Sequence, residues 1–206
     1  TGYAKLYAYD LKRKVCLLER LGKPINQLEY SIKEQLEIIC NTLKKAWEIP
    51  VVGIELSNGK ESVEWFRGFI GEMWEKLDHP CSEKIIDRAF SYLQSRENAI
   101  NPSEFVLVHG DAHGGNTLKT LSGDNYKLID PDGIFYEKAY DLGVLMREWR
   151  EEYHNNPVQK GKERCKYLSE LTGVEEKAIF EWGFLQCVST GMVFWNINRN
   201  VGRELL

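Results

Sequence analysis

Phosphoryl transfer to a hydroxyl needs one acid to take the proton and two oxygen donors to hold magnesium beside the phosphates. A carboxylate followed five residues later by an amide, with a second carboxylate closing a strand, supplies that set. This chain carries it in His109-Gly110-Asp111-Ala112-His113-Gly114-Gly115-Asn116 and again in Ile129-Asp130-Pro131-Asp132-Gly133. Asp111 is placed to accept the hydroxyl proton, an assistance worth roughly 10² to 10⁴-fold. Asn116 offers an oxygen ligand without another negative charge, and Asp130 offers the hard carboxylate oxygen that magnesium prefers. The cofactors implied are ATP and Mg2+.

Gly110, Gly114 and Gly115 let the loop turn sharply and approach bound groups closely. His109 and His113 complete the candidate catalytic set around Asp111, His109 as a hydrogen-bonding brace and His113 as either a brace or a proton carrier. Asp, Asn and Gly are common in turns, so a capped, turn-rich loop is the plain alternative. The joint spacing between strands argues against it. Asp132 reads equally as a metal or substrate contact and as a turn residue before Gly133. Asp141, in Tyr140-Asp141-Leu142-Gly143, reads equally as an acceptor for catalytic-loop groups and as a favourable charge at a helix N-terminus.

The elements that must position these residues come from one globular core. With 206 residues, 43% hydrophobic and 28% charged, the chain is ordinary for a soluble protein, which excludes disorder. A formal charge of -4 argues against a non-specific nucleic-acid binder and suits a neutral or cationic small substrate. Five scattered cysteines form no metal-like pair and read as reduced thiols, hence a cytoplasmic protein. The first twenty residues are too charged for a signal peptide. The apolar stretch Ala178 to Trp195 includes Glu181 and Gln186, so it reads as a buried helix and no membrane partner is expected.

Residues 3 to 9 alternate and residues 15 to 21 form a short apolar run, which predicts two paired strands. Gly22-Lys23-Pro24 breaks that pattern, and a helical region is expected up to residue 104. Ser31-Ile32-Lys33-Glu34 matches a capping box before an apolar face of Ile32, Leu36, Ile39, Leu43 and Trp47. A second helix follows Val63 to Leu77, and Ser82 is expected to cap a third. Phe105 to Val108 reads as a strand into the loop, and strands near 117 to 121 and 126 to 130 flank the turn Ser122-Gly123-Asp124-Asn125. Further helices are expected over 137 to 153, 162 to 171 and 174 to 198, with Thr172-Gly173-Val174-Glu175 a possible capping box.

The run His109-Gly110-Asp111-x-His113-x-x-Asn116, with Ile129-Asp130-Pro131 and Tyr140-Asp141-Leu142-Gly143, resembles the antibiotic phosphotransferases of the protein-kinase-like superfamily. It is most similar to the streptomycin-type aminoglycoside/hydroxyurea resistance kinases, which share the Leu17 to Leu21 segment and Ile129 to Gly133. The resemblance implies an α+β, protein-kinase-like fold, mainly its helical C-terminal lobe with a small catalytic hairpin. Residues 1-22 would end the N-terminal lobe and its hinge, and residues 23-206 would form the helical lobe. It implies that Asp111 is the catalytic base, that Asn116 and Asp130 bind magnesium, and that Leu18, Glu19, Arg20 and Leu21 form a hinge whose backbone meets adenine. Such kinases carry a Gly-rich loop and a strand lysine ahead of the hinge. The chain is therefore read as part of a longer kinase, slow when alone.

Around this centre, Glu148, Glu151, Glu152 and Glu163 read either as an acidic wall for a cationic aminoglycoside or as a solvated helix face. Trp149, Trp182 and Trp195 read as core or as a stacking surface. The function expected is ATP-dependent phosphorylation of a small hydroxylated substrate, most simply an aminoglycoside such as streptomycin. A choline-, homoserine- or fructosamine-type metabolite kinase and a non-catalytic binding module are the alternatives.

Overall fold

The computed structural model describes residues 1–51, 59–123 and 125–206. In chain order it contains β1 (Leu6–Asp10), β2 (Val15–Leu18), α1 (Ile32–Trp47), α2 (Gly59–Lys76), α3 (Glu83–Asn98), β3 (Val106–Val108), β4 (Thr117–Lys119), β5 (Tyr126–Leu128) and β6 (Ile134–Tyr136). Then follow α4 (Ala139–Met146), α5 (Pro157–Thr172), α6 (Glu176–Ile197) and α7 (Arg199–Leu205).

The capping box starts α1 as its spacing predicts: the Glu34 backbone N–H donates to Ser31 Oγ at 3.3 Å, and the Ser31 N–H donates to Glu34 Oε2 at 2.8 Å. Two donors that a helix start leaves orphaned are thereby satisfied. The apolar face then buries Leu36, Ile39, Leu43 and Trp47 against Leu128, Leu142, Leu145, Leu168 and Ile179. A second core joins Phe66 and Ile70 of α2, Ile86 and Leu93 of α3, and Trp182 and Leu185 of α6. Each such side chain contributes about 1.5 to 3 kcal/mol by leaving water. Eight-residue α4 is buried along its whole length because it lies between these cores.

Three antiparallel pairs form among the strands: β1 with β2, β3 with β6, and β4 with β5. The pair β3–β6 aligns Val106 with Tyr136 and Val108 with Ile134, while β4–β5 aligns Thr117 with Leu128. They bring the ends of the two motif segments together. The chain start adds to the second pair, since Leu128 N–H donates to Gly2 O at 2.8 Å and Ala4 N–H donates to Leu128 O at 2.9 Å. The first strand consequently begins at Leu6, not residue 3, and β2 ends at Leu18 rather than residue 21.

Other boundaries depart from the sequence pattern for visible reasons. The helix expected to reach residue 153 ends at Met146, where the Arg164 guanidinium donates to the carbonyls of Leu145 (3.2 Å) and Glu148 (2.6 Å). Trp149 then takes a left-handed conformation (φ 51), and Arg150–Tyr153 is a 3-10 turn. Long-range capping has replaced the next helical turn. Pro157 starts α5 five residues earlier than expected, at a position where proline lacks no needed N–H. Thr172 to Glu175 is not a capping box: Gly173 (φ 75) terminates α5, and the Thr172 hydroxyl donates back to Leu168 O. Ser82 does occupy the N-cap of α3, but its side chain makes no cap hydrogen bond. Neither β6 nor α7 was signalled by periodicity. The helical expectation over residues 52–58 and the turn position Asp124 lie outside the described residues. Among the described residues, no helix is long and apolar enough to cross a membrane.

Candidate active site

The strand β3 delivers the chain to His109, which is wholly buried. His109 Nε2 meets Ile129 O at 2.8 Å, and Nδ1 accepts the Asp111 backbone N–H at 3.2 Å. An accepting Nδ1 requires the proton on Nε2. Both nitrogens are therefore committed to backbone, and the ring braces the loop against the segment that carries Asp130.

Asp141 makes the second brace. It is fully buried, accepting from Trp47 Nε1 at 2.8 Å, His109 N–H at 3.0 Å and Gly110 N–H at 2.7 Å. Burial pushes its carboxyl above the ordinary aspartate value, against three hydrogen bonds that favour the charged form. Both sequence readings hold together: Asp141 lies in the first turn of α4 and accepts from the catalytic loop. Gly110 turns with φ 89, and a Cβ there would stand 2.4 Å from Asp132 Oδ2. Only glycine lets Asp132, whose N–H donates to His109 O at 2.8 Å, approach so closely.

These braces leave the Asp111 carboxylate half-buried, with both oxygens engaged by side chains. His113 Nε2 lies 3.4 Å from Asp111 Oδ2, while His113 Nδ1 accepts the Gly115 N–H at 2.9 Å. Asn116 Nδ2 donates to Asp111 O at 3.0 Å. The remaining Asp111 oxygen pairs with the Arg147 guanidinium, which also donates to Gln186 Oε1 (2.8 Å) and Thr190 Oγ1 (3.0 Å). Partial burial raises the Asp111 carboxyl, but the His113 hydrogen bond and the Arg147 charge outweigh it and hold the group below its usual value. It stays an anion, as a proton acceptor must. The same contact, against burial, raises His113 above its ordinary value.

Arg147 is the residue that sequence reasoning missed. A cation closing the wholly apolar run Leu142 to Met146 needs a partner, and that was the available signal. It divides two clefts. One, of about 550 Å³, runs from Asp111 and His113 past Glu148, Trp149 and Glu151 to Phe194 and Leu205. The other, of about 390 Å³, joins Asp111 and Asp132 to Trp65, Phe69 and Tyr140.

Asn116 and Asp130 are the residues expected to hold magnesium. Because Asn116 Nδ2 faces Asp111, its carbonyl oxygen is the end left for a cation. Ile129 N–H donates to Asn116 O at 3.0 Å, so Asp130 follows next in the chain, exposed, with φ 60, two residues past the end of β5. One amide and one carboxylate oxygen suit a magnesium ion completed by phosphates and water. Among the described residues, no group of three or more His, Cys, Asp or Glu side chains could hold a metal alone. Asp132, near Asp111 and Asp130, is raised by burial first and then by those charges.

Leu18, Glu19, Arg20 and Leu21 lie apart from this cluster, at the base of the β1–β2 hairpin. Glu19 accepts from Lys127 Nζ at 2.5 Å and Lys5 N–H at 3.1 Å, and Gly22 N–H donates to Lys119 O at 2.7 Å. The segment thus sits against β4–β5, with its carboxylate occupied. Glu148 and Glu151 line the larger cleft, Glu148 at 3.9 Å from Arg147, while Glu152 pairs with Arg164 at 2.5 Å and Glu163 with Lys160 at 3.3 Å. Trp182 is core, Trp149 flanks the cleft, and Trp195 lies beneath Arg199 and Arg203.

Helices packed around small antiparallel strand pairs make this an α+β, kinase-like fold. The chain belongs to the aminoglycoside/hydroxyurea antibiotic resistance kinase family, whose model matches residues 1–197. No curated protein matches it significantly in sequence. Its fold is similar to that of the aminoglycoside phosphotransferase APH(3'')-Id from Streptomyces rimosus, solved with ADP and streptomycin. There the TM-score is 0.59 at 15% identity, covering 89% of this chain and 75% of that one. It is also similar to an ethanolamine kinase from Plasmodium vivax, with a TM-score of 0.60 at 17% identity, covering 98% of this chain and 66% of that one.

Proposed function

We propose that this chain carries the catalytic centre of an ATP-dependent phosphotransferase that moves the γ-phosphate to a hydroxyl of a cationic small molecule, an aminoglycoside such as streptomycin. The observation that carries this reading is the Asp111 carboxylate, held anionic at the meeting of two clefts with Asn116 and Asp130 alongside. Asp111 accepts the hydroxyl proton and aims the oxygen at phosphorus. Arg147 orients that carboxylate and offers positive charge where phosphate charge builds up. Asn116 and Asp130 hold magnesium, which when bound offsets the charge of the phosphates. Glu148 and Glu151 draw a polycationic acceptor into the larger cleft.

Under this reading residues 1-22 end a strand lobe and its hinge, residues 23-206 form the helical lobe, and the backbone of Leu18 to Leu21 meets adenine. The engaged Glu19 carboxylate leaves only main-chain groups for that contact. The five free cysteines fit a reducing cytoplasm. Asp111→Ala abolishes turnover while leaving nucleotide affinity within about twofold, and Asp130→Ala weakens magnesium-dependent nucleotide binding about tenfold or more. Labelled phosphate transfer and nucleotide titration read the two effects, and phosphotransfer retained by Asp111→Ala sinks the base assignment.

The smaller cleft favours a second acceptor. Trp65, 58% exposed and stacked on Phe69 at 5.0 Å, presents an aromatic face near Asp132 that suits a compact ammonium alcohol. Streptomycin, choline and ethanolamine assayed side by side separate the readings.

A further inference from the structure

We propose that Tyr3 is a positioning residue for the catalytic loop: its ring fixes the plane of His109 and thereby the backbone that carries Asp111. The functional part of this inference rests on Asp111 being the base, as proposed above.

Residues 2 to 4 are held so that the ring is delivered there. Hydrogen bonds from Leu128 to Gly2 O (2.8 Å) and from Ala4 to Leu128 O (2.9 Å) hold the backbone on both sides of Tyr3. Gly2 lets the segment press against α1, since a Cβ there would stand 2.5 Å from Thr42 O and 2.7 Å from Ala46 N. Tyr3 then lies over His109 with ring centroids 5.9 Å apart and planes only 8° from parallel, an offset stack.

His109 holds its two neighbours through bonds in the plane of its ring, from Nε2 to Ile129 O and from Asp111 N–H to Nδ1. A tilt of that ring would strain both at once. One would move the carbonyl next to Asp130, and the other would move the N–H of Asp111 itself. The flat face of Tyr3 opposes that tilt. Among the described residues Tyr3 Oη is buried without a hydrogen-bond partner, so the flat ring is the part of the side chain that meets His109. If the hydroxyl is idle, phenylalanine should serve as well as tyrosine, whereas leucine should fill the space without supplying a face.

The test compares wild type, Tyr3→Phe, Tyr3→Leu and Tyr3→Met on the full chain. Histidine side-chain ¹⁵N resonances report the tautomer and hydrogen bonding of His109, and phosphotransfer to streptomycin gives kcat and KM. Wild type and Tyr3→Phe should show one Nε2–H tautomer with equal kcat. Folded Tyr3→Leu or Tyr3→Met should show averaged His109 signals and a kcat lower by about tenfold, with both KM values within about twofold. A folded leucine or methionine variant with the wild-type His109 signature and kcat overturns the proposal. So does unfolding of both variants beside a native Tyr3→Phe, because the ring would then be structural filling alone. A wild type with the His109 signature but no phosphotransfer counts against the proposed function and leaves the stacking role standing.

Discussion

In the loop from His109 to Asn116 the polar groups reach partners far along the chain, at Ile129, Asp141 and Arg147, whereas in the β1–β2 hairpin they reach chiefly one another. The loop is buried at His109, Gly110, Ala112 and Gly114. The hairpin instead exposes Tyr7 at 57%, Tyr9 at 67% and Leu17 at 61%. Its ties to the rest of the protein gather at the base, where Glu19, accepting also from the Lys5 N–H, meets Lys127. A conformation fixed by several independent distant partners changes little when one surface contact is lost, but it fails when a shared buried acceptor is removed. A ladder fixed from within responds in the opposite way.

The largest break in that contrast should come at Asp141. Replacing it with alanine leaves the buried donors of Trp47, His109 and Gly110 unpaired, and a loss of roughly 3 kcal/mol or more is expected in urea unfolding. Gly110→Ala comes next. It combines a positive φ with a collision at Asp132, for about 1 to 3 kcal/mol, read from the thermal midpoint.

A smaller effect tests the hairpin's anchor. The hydrogen bond from Lys127, followed by that from the Lys5 N–H, holds the Glu19 carboxyl below its ordinary value of 4.5. Its folded pKa is depressed, so its stabilisation is present above pH 4.5 and is lost as the pH falls through the lowered value. Glu19→Gln should therefore narrow the gap between urea midpoints measured at about pH 5 and about pH 3. Smallest of all, Tyr9→Ser on the exposed hairpin should change stability by no more than about 0.5 kcal/mol in the same assay.

The same division governs what could be read from the sequence. Start signals made of neighbouring residues were legible: the Ser31 and Glu34 box begins α1, and the spacing of Asp111 and Asn116 gives a loop in which the amide does reach the aspartate. Where a distant group decides the outcome, pattern alone was insufficient. The end of α4 is set by Arg164, eighteen residues beyond Met146, and the Arg147 contact with Asp111 spans 36 positions. The loop-acceptor role of Asp141 stood undecided in sequence because the deciding donors, on Trp47, His109 and Gly110, lie up to 94 positions away. The Thr172 to Glu175 box fails for a local reason that propensity did not weigh, the left-handed turn at Gly173.

The pairing of Gly2 and Ala4 with Leu128 has a practical side. With three residues per strand, β4–β5 is shorter than an independent hairpin normally is, and residues 2 to 4 pair along its edge at Leu128. Releasing Gly2 and Ala4 from that edge would uncover the main chain at Leu128, two residues before Asp130. Exposed strand edges recruit other strands. Release there would therefore put self-association and loss of the site on a single event.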